Sequence, residues 1–322
     1  MRAALPVVLL AATIAPLPGG RAADPAPSAV PPPEELRLET TEGIRISAWY
    51  YAPVAGAKPP ATVILVHDLE GSHKTVEPLA LSLQGAGYAV VAPDLRGHGA
   101  SVARPAPVAG GRLESFEPRM LKKSDLESIA AATGGSLREQ AASRGEIETV
   151  RSWIRVKSQA GELDLDKLCV VGSGAGAVLA SLWTAADSNW PPIASGPQGG
   201  QVRALVLISP PWSTKGVSFT VPLSQESLQR RIPVLVLGGK GDRDAVRLFD
   251  QFKRLRPAEW FQQRAGQDPE KAKDLADATQ GSAFFIQADT SLSADKLVSE
   301  PEIKLAEQIK TFLGIALAKS RP

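Results

Sequence analysis

Six short runs of consecutive apolar, often β-branched residues constrain this chain more than any other feature. They are ATVILV at 61–66, YAVVA at 88–92, LCVV at 168–171, VRALVLI at 202–208, PVLVL at 233–237 and SAFFIQ at 282–287. A strand with one face in water alternates apolar and polar side chains, so an unbroken apolar run belongs to a strand covered on both faces. Helical patterns fall between the runs, at 76–86, 144–159 and 177–186, with a closing amphipathic helix at 301–318 and an alternating strand at 44–52. Strands alternating with helices predict an α/β fold with a mainly parallel sheet and helices on both faces. In such sheets ligands sit beyond the carboxyl ends of the strands, so the residues directly after each apolar run are where chemistry is expected. Residues 103–145 are the least regular, with Pro and Gly punctuating one short helix at 124–132.

The first residues follow a different logic. Met1-Arg2 supplies a positive charge, 3–15 is apolar, and Gly20-Arg21-Ala22 places small residues where a signal peptidase reads. Three prolines and a short apolar run argue against a spanning helix, so no stable membrane anchor is expected. The expected organisation is a signal peptide at 1–22, a proline-rich linker at 23–33 and one folded domain at 34–318, exported to the periplasm or beyond. Removing Arg2 and Arg21 takes Lys+Arg from 36 to 34, equal to Asp+Glu at 34. A neutral domain offers no electrostatic footprint for nucleic acid. With three histidines and one cysteine in 322 residues, a Cys/His metal cluster and a disulfide framework are excluded by counting, and Cys169, inside an apolar run, reads as core.

Two loops carry a family signature. After the first apolar run comes His67-Asp68-Leu69-Glu70-Gly71-Ser72, and after the second Asp94-Leu95-Arg96-Gly97-His98-Gly99-Ala100-Ser101. Together they resemble the α/β-hydrolase superfamily in its serine aminopeptidase-like and esterase-like branch, which reads H-G-x-x-G-S and D-x-R-G-H-G-x-S at these places. The resemblance extends in order to Leu313 and implies the α/β-hydrolase fold, without room for a large lid between Ile208 and Ile232. It also implies a serine, an acid and a histidine.

Those three positions are unevenly filled. The family's nucleophile stands on a strained strand-to-helix turn, G-x-S-x-G. Here the turn reads Gly172-Ser173-Gly174-Ala175-Gly176, with Gly174 in the nucleophile's place. Ser173 lies one residue early, and a one-residue shift on a tight turn redirects the side chain, so it is a weak alternative nucleophile. Gly239-Lys240-Gly241-Asp242 matches G-x-x-D and makes Asp242 the triad acid, with Asp244 second. The alignment through Leu297 puts Ser293 where the histidine belongs, and no histidine follows His98. A hydroxyl without an imidazole has no base to take its proton. The resemblance assigns the oxyanion donors to the backbone N–H groups of Leu69 and Ala175. Asp68 replaces the usual glycine beside them, and the residues alone leave open whether its carboxylate opposes an oxyanion or faces solvent. His67 and His98 match loop-bracing histidines, while His73 reads as a solvated surface residue.

The expectation is therefore a degenerate hydrolase that binds an unidentified small molecule or protein. The alternative is a working ester or peptide hydrolase using Ser173 or a substitute base. Gly172-x-Gly174-x-x-Ala177 also fits a dinucleotide fingerprint. The next strand ends Ile208-Ser209-Pro210-Pro211, without the acidic residue a ribose would need, so no cofactor is implied.

Overall fold

The computed structural model of the protein describes residues 30–54, 59–104, 114–115, 117–132, 145–190, 198–266, 274–300 and 303–319. The expected signal peptide and most of the linker lie outside them. Nine strands form the central sheet: β1 (Glu34–Glu39), β2 (Arg45–Tyr51), β3 (Thr62–Val66), β4 (Ala89–Pro93), β5 (Leu168–Ser173), β6 (Val202–Ile208), β7 (Val234–Gly238), β8 (Trp260–Gln263) and β9 (Ala283–Gln287). Their order across the sheet is β1-β2-β4-β3-β5-β6-β7-β9-β8. β2 runs antiparallel to β1 and β4, and the remaining pairs are parallel.

The apolar runs are buried on both faces for the reason the sequence suggests. Successive side chains of a strand point to opposite sides. Ile64 and Val66 of β3 join one core cluster, and Val63 and Leu65 the other. The first cluster is closed by α3 (Glu146–Gln159), α4 (Ala175–Asp187) and α5 (Arg243–Leu255). The second is closed by α1 (His73–Gly85) and α7 (Leu305–Lys319), through Val76, Leu79, Leu83, Ile309 and Phe312. Two short helices, α2 (Lys123–Ile129) and α6 (Ala294–Val298), complete the set used below. Cys169 sits in the second cluster with no exposed surface, and burial pushes its thiol up to about 12. It is an inert core residue.

Among the elements unread in the sequence are β1, α5, β8 and the short α6. β1 is an edge strand, EELRLE, in which only Leu36 is buried, so its apolar signal is faint. α5 left a clear signal that was not used: Ala245, Leu248, Phe249 and Phe252 recur at helical spacing and form its buried face. Between β6 and β7 lie a two-stranded hairpin at 213–218, a short helix at Thr220–Leu223 and one turn of π-helix at Ser227–Arg231, with no large lid.

Candidate active site

The carboxyl ends of β3, β5, β6, β7 and the loop after β9 converge on one cleft of about 1270 Å³. Asp68, Gly174, Ala175, Ser209, Asp242 and Ser293 all line it. The structure thus brings together the three triad-equivalent positions, Gly174, Asp242 and Ser293.

The turn between β5 and α4 is the sharp elbow that the family signature requires. Gly174 adopts φ 54° and ψ −127°, a conformation costing about 1–3 kcal/mol for a residue bearing a side chain and little for glycine. The helix start is packed so closely that a Cβ on Gly176 would stand 2.4 Å from the carbonyl oxygen of His67. Ser173, the alternative nucleophile, is fully buried as the last residue of β5; its hydroxyl has no partner, and the residue is not part of the cleft wall.

Asp68 resolves the question that the sequence left open. The carboxylate stands where it would oppose an oxyanion. Its Oδ1 accepts the N–H of Leu69 and the N–H of Ala175, each at 2.8 Å. One carboxylate oxygen therefore occupies the point where the two donors converge, with the N-terminus of α4 behind it, the arrangement that stabilises a negative oxygen. The carboxylate also fills the space over the elbow. A Cβ added to Gly174 would lie 2.3 Å from Cγ of Asp68. Asp68 is held from the other side by Asp295 of α6, whose carboxylate accepts the Asp68 N–H at 3.2 Å and the Thr75 hydroxyl. Asp295 was not singled out in the sequence, and an aspartate in the first turn of a short helix carries no distinguishing pattern.

Asp242 caps α5 by accepting the Ala245 N–H at 3.0 Å through Oδ1, while Oδ2 is buried without a well-formed hydrogen bond. Burial raises its carboxyl above the usual aspartate range, outweighing the lowering by the Ala245 N–H and the nearby Ser209 hydroxyl. Ser293 precedes α6 and is exposed on the cleft. Asp244, the second-choice acid, accepts the N–H of Trp212.

The histidines are structural. His67 Nδ1 meets the carbonyl of Asp68 at 2.5 Å and Nε2 accepts the Leu95 N–H at 3.1 Å, which fixes the neutral ring with its proton on Nδ1. His98 bridges the carbonyls of Arg96 and Leu69 at 3.0 and 2.6 Å, bracing the oxyanion loop. His73 is not the solvated residue expected: it is 5% exposed, stacks on Trp49 at 3.3 Å and meets Asp94 at 3.0 Å. The apparent loop residue is in fact the first residue of α1, tucked against β2 and the Asp94 loop.

Burial, reinforced by His98, lowers the His67 pKa from 6.5 to about 4. The unfolded chain therefore takes up the extra proton between those values. Stability is full above pH 6.5 and falls as pH drops toward 4, by about 3 kcal/mol at this residue. Urea unfolding at pH 7 and pH 4.5 should show the loss, and a flat midpoint would contradict it.

The sequence profile of the Alpha/beta hydrolase family matches residues 63–301. The chain belongs to that family. Two curated relatives, both uncharacterised proteins of Mycobacterium tuberculosis strains, are 34% identical over 86 residues, a stretch covering 26% of this chain and 30% of theirs. Among solved structures the fold resembles EstE1, a thermostable carboxylesterase cloned from a metagenomic library, with TM-score 0.53 and 15% identity over 92% of each chain. It also resembles carboxyl esterase 2 of the fungus Tuber melanosporum, with TM-score 0.51 and 14% identity over 94% of this chain and 90% of that one. At such identity the likeness is one of fold, and function has to come from the site.

Proposed function

We propose that this member of the Alpha/beta hydrolase family is exported, carries out no hydrolysis, and acts by binding a ligand in the cleft above the strand ends. One observation carries the reading: the Asp68 carboxylate accepts both oxyanion-donor N–H groups and fills the space where a nucleophile's side chain would stand. The missing groups agree with it. Gly174 has no hydroxyl, and Ser293 has no imidazole to move a proton between nucleophile, leaving group and water. The family's chemistry needs nucleophile, base and oxyanion site together. Here the first two positions are chemically blank and the third is self-occupied. A pyrophosphate at the α4 N-terminus would have to displace the same carboxylate, which disfavours the dinucleotide reading as well.

The purified protein should neither turn over p-nitrophenyl acetate or aminoacyl p-nitroanilides nor be labelled by a fluorophosphonate probe. Turnover or labelling that disappears in Ser173→Ala or Ser209→Ala would contradict the reading. Export predicts a mature chain beginning at Ala23 or Asp24, and N-terminal sequencing of the secreted or periplasmic protein tests it.

A further inference from the structure

The hydrogen-bonding groups of the cleft floor are unevenly used. Its donors are largely spent inside the protein: the N–H groups of Leu69 and Ala175 go to Asp68, that of Gly174 to the carbonyl of Ile208, and that of Ser209 to Leu237. Both ring nitrogens of His98 meet carbonyls. The Lys215 ammonium donates to the carbonyls of Pro118, Arg119 and Leu121 at 2.8–3.2 Å, and Arg119 pairs with Glu117. The remaining cation on the cleft, Arg243, is exposed at the first turn of α5.

The acceptors are not spent. Asp242 Oδ2 is buried without a well-formed partner. Ser209 is 7% exposed and on the cleft wall, and its hydroxyl has no well-formed hydrogen bond among the described residues. Ser209 is also held at φ 43°, a left-handed conformation that costs a non-glycine residue about 1–3 kcal/mol and that concentrates at functional sites. Asp68 Oδ2 accepts no hydrogen bond among the described residues, because both backbone donors go to Oδ1. Ser293 contributes only a small side chain to the same wall. Buried acceptors left without donors are costly, and a ligand that supplies the donors recovers that cost.

Resting on the reading of the cleft as a binding site, we infer that it takes a ligand through a planar nitrogen cation, a guanidinium, amidinium or imidazolium group. Its N–H donors meet Asp242 Oδ2, the Ser209 hydroxyl and the free oxygen of Asp68. Planar cations carry several N–H donors in a fixed fork, which suits two carboxylates better than a point charge does. The lining favours this sign, since Asp68, Glu70, Glu117, Asp242 and Asp244 outnumber Arg119, Lys215 and Arg243.

Benzamidine, benzamide and benzoate share one shape and differ in charge, so calorimetric titration of the full chain with each separates the possibilities. Benzamidine should bind with the tightest constant of the three and weaken about tenfold or more in Asp242→Asn and in Asp68→Asn. Asparagine still caps α5 and still accepts the two backbone N–H groups, so both variants keep the fold, which circular dichroism verifies. Benzamidine binding no better than benzamide, benzoate binding best, or affinity unchanged in both variants would each overturn the inference. Ester turnover by the wild-type protein would contradict the non-hydrolytic reading whatever benzamidine does. Absence of both turnover and amidine binding would contradict this inference alone.

Discussion

Gly174→Ser, the substitution that restores the family's nucleophile on paper, should yield a protein with no esterase activity and lowered stability. Position 174 holds φ 54°, so any side chain there is strained by about 1–3 kcal/mol. The new Cβ would also meet the Asp68 carboxylate at 2.3–2.5 Å, so that side chain must leave the oxyanion donors or the elbow must shift. Even a tolerated serine finds no imidazole at the triad's base position, because position 293 carries a hydroxymethyl group. Three changes are needed together: Asp68→Gly empties the donor pair and the space over the elbow, Gly174→Ser supplies the hydroxyl, and Ser293→His supplies a base on the cleft that Asp242 also lines. A positioned general base is worth about 10²–10⁴ in rate, and an oxyanion donor about 10²–10³. The triple variant should therefore exceed the single variant by about a hundredfold or more on p-nitrophenyl acetate. Robust turnover by Gly174→Ser alone would mean that the base lies elsewhere.

Glu146→Ala should cost about 3–5 kcal/mol of stability. Glu146 and Arg96 are both buried, and the guanidinium donates through Nε and Nη2 to the two carboxylate oxygens at 2.5 and 3.1 Å. Arg96 is part of the loop after β4, so this pair ties that loop to the start of α3. Removing the carboxylate leaves a buried guanidinium with the Ser128 hydroxyl at 2.9 Å, the half-exposed Glu42 at 3.7 Å and the more distant charge of Asp125. An uncompensated buried charge costs more than the pair contributes when intact. A drop in Tm of about 6–20 °C is expected, at roughly 2–4 °C per kcal/mol for a domain of this size. A shift of less than 2 °C would show that Glu42 and solvent take over the charge.

The sheet was legible because strands buried on both faces leave unbroken apolar runs. VRALVLI at 202–208 coincides with β6, and the other five runs lie within two residues of their strands. The elbow was legible too, since closely spaced glycines between an apolar strand and an apolar helix mark a turn with no room for Cβ atoms. The fate of Asp68 was not. Its residue type says only that a carboxylate is present, and its direction depends on two N–H groups, one of them 107 residues away in sequence. Asp295, 227 residues from Asp68, fixes the same loop from the opposite side. His73 was misread for a related reason: its burial comes from Trp49 and Asp94, contacts made by the assembled sheet and invisible in the local sequence.

One contact is decisive, the Asp68 carboxylate on the paired N–H groups of Leu69 and Ala175. Amide nitrogen–proton NMR of the wild-type protein and Asp68→Ala measures it directly. Both amide protons should resonate downfield and exchange slowly in the wild type, and both should move upfield together and lose protection in Asp68→Ala, with the amides of β5 and β6 unchanged. Unaltered Leu69 and Ala175 resonances in the variant would mean that the donor pair is open in solution, and the self-occupied site at the centre of this account would be contradicted.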